Sequence, residues 1–134
     1  MKLSAKGRYG LKVMSYLGSR FGEDAISLSN ISESVGVSDK YAEQILLTLR
    51  KADLVQATRG ANGGYFIERN PSKISVGEIL RALEDGLVFV DCISEGCPNQ
   101  NKCNTYVVWD KLYKQINGFL DTLMLDSILA KEGE

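Results

Sequence analysis

Ser27-Leu28-Ser29-Asn30-Ile31-Ser32-Glu33-Ser34-Val35-Gly36-Val37-Ser38-Asp39-Lys40-Tyr41-Ala42-Glu43-Gln44-Ile45-Leu46-Leu47-Thr48-Leu49 is the stretch on which the fold turns. A serine at Ser27 or Ser29 suits the cap of a short helix whose inner face is Leu28, Ile31 and Val35. Gly36 supplies the left-handed residue at which such a helix stops. Ser38 then caps a second helix, from Asp39 to about Ala52, with Ala42, Ile45, Leu46 and Leu49 as its inner stripe. Two short helices joined by a glycine-containing turn make a helix-turn-helix.

Upstream, Leu11, Met14, Leu17 and Phe21 recur at three- and four-residue steps, which predicts an amphipathic helix from Ser4 to about Arg20. Downstream, Leu54–Thr58 and Tyr65–Glu68 are short extended runs. They flank Arg59-Gly60-Ala61-Asn62-Gly63-Gly64, a hairpin loop with an Asn-Gly turn signal. Ser75-Val76-Gly77-Glu78 reads as a capping box opening a helix with Val76, Ile79, Leu80 and Leu83 inward. Thr105 to about Leu125 reads as one long helix carrying Trp109, Leu112, Tyr113, Ile116, Phe119, Leu120 and Leu123. That apolar stripe is too wide for a terminal helix left in water, so it predicts a homodimer. The expected fold is mainly α with a small β-hairpin wing: a winged helix-turn-helix plus a long C-terminal dimerisation helix. The expected division is residues 1–86 as the winged helix-turn-helix domain, 87–104 as a cysteine loop and 105–134 as dimerisation helix and tail.

The bulk properties narrow the class. The 134 residues hold 44% hydrophobic and 25% charged residues, ordinary values for a soluble globular chain. No apolar run approaches the ~20 residues that span a bilayer, and no signal region follows the charged N-terminus, so a membrane or export role is not expected. Three cysteines, all between Cys92 and Cys103, do not make a disulfide framework, and they point to the cytoplasm. The net charge of −1 conceals a basic first half, with ten Lys/Arg against seven Asp/Glu over residues 1–70, and an acidic second half. Only the first half suits a polyanion.

A helix-turn-helix places its second helix in the major groove of double-stranded DNA. The outward side of that helix offers Lys40, Glu43, Gln44 and Lys51, with Ser38 and Tyr41 at its leading end. Gln44 can bond adenine in a bidentate manner and Glu43 can accept from cytosine, while the lysines suit phosphates. A solvated helix face would show similar residues. Arg59 beside Gly60 adds a cation able to enter a narrow minor groove. Lys6 and Arg8 stand where a helix dipole favours acids, either as tolerated surface charge or to meet phosphate. The glycine spacing matches neither a dinucleotide fingerprint nor a P-loop, and with no C-x-x-C pair and no histidine an enzyme is not expected. The cysteines themselves leave iron–sulfur, zinc, reactive-thiol and plain buried readings open.

Taken together, the pattern resembles the iron–sulfur cluster regulator family, the IscR-like winged-helix transcription factors. The resemblance rests on Leu3-Ser4-Ala5-Lys6-Gly7-Arg8-Tyr9, Ile31-Ser32-Glu33, Tyr41-Ala42-Glu43-Gln44, Leu49-Arg50-Lys51, Arg59-Gly60-Ala61-Asn62-Gly63-Gly64-Tyr65, Val76-Gly77-Glu78-Ile79 and the three cysteines. It implies a homodimeric repressor packed through the C-terminal helix and bound to a pseudo-palindromic operator. Ser38, Tyr41, Glu43 and Gln44 would lie at the major groove and Arg59 in the minor groove. The position of Glu43 is implied to help cluster state change sequence choice. Cys92, Cys97 and Cys103 would hold an iron–sulfur cluster, 2Fe–2S in preference to 4Fe–4S. The chain departs from the family pattern in two ways. Its cysteines are spaced C-x4-C-x5-C, one residue short in the first gap, and Tyr106 stands where the family places a histidine ligand. An N-terminal aspartate ligand known in a nitric-oxide-sensing relative is replaced by Arg8, and the fourth ligand is left open among Tyr106, a carboxylate, a Ser or Asn of either subunit and an outside molecule.

Overall fold

The computed structural model describes residues 3–84, 87, 90–94, 96, 98–99 and 101–129. Its first helix, α1 (Ala5–Ser19), is capped by Ser4, whose hydroxyl accepts from the Gly7 N–H at 3.1 Å. The buried side of α1 runs along Gly7, Gly10, Val13, Met14, Leu17 and Gly18. This corrects the expected stripe: Leu11 is only half-buried, and Phe21 lies beyond the helix and is 39% exposed. The reason is close packing. Gly10 faces Leu83 and Gly18 faces Leu125 and Leu129, so neighbouring segments approach where α1 has no side chain.

The helix-turn-helix forms as its caps require. Ser27 opens α2 (Leu28–Val35) by accepting from Asn30 N–H at 3.2 Å. Gly36 ends it at φ 83°, in the left-handed region. Ser38 opens α3 (Asp39–Lys51) by accepting from Tyr41 N–H at 3.1 Å. Ile45, Leu46 and Leu49 are wholly buried, as is Ala42. In α2 the inner face holds Ile31, Val35 and also Ser32, while Leu28 is only partly buried. The Ser32 hydroxyl donates to the Asp39 carboxylate and so ties α2 to the first turn of α3.

The wing is shorter than the extended runs suggested. β1 (Gln56–Thr58) pairs antiparallel with β2 (Gly64–Phe66), with Ala57 opposite Tyr65. Leu54, Val55 and Ile67 flank these strands and are buried in the core. The turn is closed by Gly63 N–H donating to Gly60 C=O at 3.0 Å, so Asn62-Gly63 occupies its last two positions. Ile26 joins the hairpin by exchanging two hydrogen bonds with Tyr65, of 2.9 and 2.8 Å. A β-carbon at Gly64 would enter the Ile26 carbonyl, so only glycine permits this approach.

Ser75 caps α4 (Val76–Leu83) by accepting from Glu78 N–H at 3.0 Å. The capping box is only half made, because the Glu78 carboxylate turns to Arg69 instead, at 2.8 and 3.1 Å. After the four-residue α5 (Asp91–Ser94) comes α6 (Tyr106–Thr122). The apolar run Leu87–Val90, whose sequence suits a brief extended segment, falls partly on residues 88–89, outside the described residues. The long helix stops short of Leu125, because Leu123 C=O accepts from Val76 N–H and Leu125 N–H donates to Ile74 C=O. Leu125 is wholly buried in the main core, so the tail assigned above to the dimerisation region also completes the winged helix.

The contact of α6 with α4 has a polar seam. Arg81 donates to Asn117 Oδ1 at 3.1 Å and pairs with Asp121. The buried Asn117 amide donates to Leu87 C=O at 3.2 Å and Tyr113 C=O at 3.0 Å. Substituting Gly64→Ala is expected to cost about 1–3 kcal/mol of stability by forcing the hairpin from Ile26. Gly118→Ala, on an open helical site, is expected to gain up to about 1 kcal/mol. Urea unfolding of both variants at one protein concentration checks the pair, and equal effects would contradict the packing described.

Candidate nucleic-acid interface and cysteine segment

The four inward residues of α3 leave the opposite side of the helix to solvent. There Lys40, Glu43, Gln44 and Leu47 join Arg50 and, from β2, Tyr65 around a groove of about 380 Å³. Arg59 and Gly60 are exposed at the far end of the hairpin, with Gly60 at φ 103°. Ser38 is exposed but engaged as the cap of α3. Tyr41 is half-buried, its ring 6.2 Å from that of Tyr9 in an edge-on contact.

Tyr9 also carries two cations, Arg8 at 5.8 Å and Lys12 at 5.1 Å from its ring centre. The first turns of α1 are thus joined through Tyr9 and Tyr41 to the start of α3. Lys6 is half-buried and Arg8 exposed. The acid missing from the first turn of α1 comes from elsewhere: Glu84, just past α4, accepts from Ser4 N–H at 2.9 Å and Ser4 Oγ at 2.7 Å. A carboxylate at that end of the helix favours the dipole. It does so without engaging the neighbouring cations. Among the described residues the ion pairs join Arg69 to Glu78, Arg81 to Asp121 and Lys114 to Asp110. None uses Lys6, Arg8, Lys12, Lys40, Arg50, Lys51 or Arg59.

The candidate metal ligands lie elsewhere. Cys92 is partly buried in α5, and Cys103 is exposed just before α6; both are free thiols. Cys97 lies outside the described residues. Cys103 Sγ is 3.2 Å from Thr105 Oγ1. The Thr105 hydroxyl, followed by the backbone N–H groups of Thr105 and Tyr106, holds the Cys103 thiol below its ordinary range. Tyr106 begins α6 and is half-buried.

Residues 3–131 match the model of the Rrf2 family, described as an iron-dependent transcriptional regulator. The chain belongs to the Rrf2 family. It is 35% identical to the HTH-type transcriptional regulator IscR of Sodalis glossinidius, over 98% of this chain and 81% of that protein. Among solved structures it is similar to CymR (YrzC), the global cysteine regulator of B. subtilis, with TM-score 0.76 and 34% identity over 94% of each chain. It is also similar to T. potens IscR, with TM-score 0.72 and 37% identity over 98% of this chain and 93% of that one. The winged-helix fold and the likeness to IscR-type regulators expected from the sequence therefore hold. This Rrf2-family chain is a DNA-binding transcriptional regulator and not an enzyme. No helix among its described residues is long and apolar enough to cross a membrane.

Sequence reasoning on this Rrf2-family chain missed Lys12, Leu47, Arg50 and Tyr65 as candidate interface residues. Helical spacing from Lys40, Glu43 and Gln44 would have found Leu47. Tyr65 needs the fold of the hairpin and Lys12 the contact through Tyr9, neither of which sequence spacing reveals. For the thiol, removing the strongest donor in Thr105→Val should raise the Cys103 pKa. The pH profile of iodoacetamide labelling at Cys103 in reduced, metal-free protein should shift upward, and an unchanged profile would exclude the Thr105 contact.

Proposed function

We propose that this regulator is a homodimeric, cytoplasmic repressor that binds a pseudo-palindromic duplex and responds to an iron–sulfur cluster. The observation that carries the DNA-facing part is the set of cations, without acidic partners among the described residues, on α1, α3 and the wing. A duplex supplies phosphates for such cations and releases counterions when they are met. In this reading Ser38, Tyr41, Glu43 and Gln44 meet base edges at the start of α3. Lys6, Arg8 and Lys40 hold phosphates, and Arg59 with Gly60 enters the minor groove.

Support for the dimer comes from α6. Val108, Leu112 and Phe119 lie on one stripe of that helix and are exposed, Phe119 to 62%. Burying each such side chain is worth about 1.5–3 kcal/mol, and a second copy offers the same stripe about a two-fold axis. Two recognition helices then meet half-sites one helical turn, about 34–36 Å, apart. Phe119→Glu combined with Leu112→Glu should give a monomer in sedimentation at micromolar concentration and lower operator affinity at least tenfold. A double variant that stays dimeric would remove α6 from the interface.

Cys92, Cys97 and Cys103 would hold the cluster, 2Fe–2S in preference to 4Fe–4S. The donor chemistry fits: three thiols lie within twelve residues, and the one at Cys103 is biased toward the thiolate that iron–sulfur ligation needs. When bound, such a group supplies a redox-sensitive centre beside the start of α6. The chain has no histidine for a fourth position, so an oxygen donor such as Tyr106, three residues beyond Cys103, would take it. A second reading, supported by the exposed and acidified Cys103, keeps DNA binding and replaces the cluster with thiol or zinc chemistry. Anaerobic purification with absorbance, iron and sulfide analysis separates them. A visible chromophore with matched iron and sulfide is expected. It should be lost in each Cys→Ala variant and largely kept in Tyr106→Phe. Colourless protein containing zinc, or no metal, would favour the second reading.

A further inference from the structure

We infer that Leu47 is a specificity-determining residue that packs on the C5-methyl group of thymine in the major groove. The inference rests on the reading that α3 faces duplex DNA and names a contact within that site.

Leu47 is set apart from the other branched apolar residues of α3. Ile45, Leu46 and Leu49 are wholly buried, whereas Leu47 is 50% exposed in the middle of the helix. It stands one turn beyond Glu43 and Gln44 on the same side, and it lines the groove with Lys40, Arg50 and Tyr65. The cations of that groove have no acidic partner among the described residues. An occupant must therefore be anionic at its edges and apolar at one point. Duplex DNA meets both conditions: phosphates border the major groove, and the thymine methyl is the apolar feature on its floor. An acidic protein partner would satisfy the charge as well, but the neighbouring Glu43 and Gln44 match base edges rather than a carboxylate-rich surface.

The position also predicts a sequence relation. Residues three apart on a helix are displaced by about 4.5 Å along its axis, and successive base pairs by about 3.4 Å. If Gln44 bonds an adenine, the thymine met by Leu47 lies within one or two base pairs of it.

The test begins with full-length, anaerobically purified protein and duplexes selected from a random pool. Each thymine of the selected site is then replaced singly by deoxyuridine, which keeps the pairing and removes only the methyl. Wild-type protein should lose about fourfold in affinity at one thymine per half-site, the loss expected for one uncovered methyl. Leu47→Ala should bind more weakly and show no further loss at that position, while Leu47→Met should keep the methyl dependence. Alanine is the better helix former, so the fold should survive, and circular dichroism checks this. A methyl dependence that persists undiminished in Leu47→Ala would overturn the inference, as would its absence at every thymine in the wild type. If Leu47→Ala leaves all duplex affinities unchanged, the leucine faces another partner and the inference falls while DNA binding stands. If no duplex is selected, the DNA reading falls with it.

Discussion

Ala42, Ile45, Leu46 and Leu49 have no surface left in water, and all four lie on one side of α3. Rolling the helix by one residue would expose part of this stripe, at about 1.5–3 kcal/mol for each large side chain released. The helix therefore has one rotational setting. That constraint decides which residues face outward before any ligand is considered. Ser38 sets where the helix begins and the Ser32–Asp39 bond holds that beginning against α2, so its axial position is restrained as well. The groove chemistry is the complement of the core: in the proposed complex, whatever the packing does not take from α3 is what a duplex meets.

The other elements reinforce this setting from two directions. Glu84 supplies the negative charge at the start of α1, while Arg8 and Lys12 lie over the ring of Tyr9, which meets Tyr41 edge-on. At the other end of the chain, Leu125 completes the core below α1, and α6 attaches to α4 both through Arg81, Asn117 and Asp121 and through Leu120 packed against the cluster of Val76 and Leu80. An amphipathic helix ordinarily turns its apolar side to its own domain. Here Asn117, Asp121 and Leu120 face the domain while Val108, Leu112 and Phe119 face out, so α6 carries a second apolar side, as expected of a helix that has a second partner.

Local chemistry explains which features were legible in the sequence. The helix-turn-helix was readable because serine caps, a left-handed glycine and a 3.6-residue stripe all agree within 25 residues. The inner face of α1 was misjudged because its closest contacts occur at Gly7, Gly10 and Gly18, which carry no hydrophobic signal. The strands were overextended because Leu54, Val55 and Ile67 are apolar for core packing and not for ladder pairing. Ser75 did cap α4, yet Glu78 found a better partner in Arg69, a choice that depends on a residue nine positions away. In the candidate interface, α3 was readable from spacing, whereas Tyr65 enters the groove only through the Ile26 bridge that seats the hairpin. For the candidate metal ligands, the spacing of the three cysteines was legible in the sequence, whereas the lowering of the Cys103 thiol depends on the Thr105 contact at the start of α6.

The central claim is that one surface, formed by the start of α1, the outer side of α3 and the wing, is the surface that meets DNA. Hydroxyl-radical footprinting of the protein, with and without a selected duplex, tests it residue by residue. Oxidation of Tyr41, Leu47 and Tyr65 should fall several-fold when the duplex is present, while Phe21, outside that surface, should be oxidised as before. Suppression at Phe21 with Tyr41, Leu47 and Tyr65 unchanged would contradict the account.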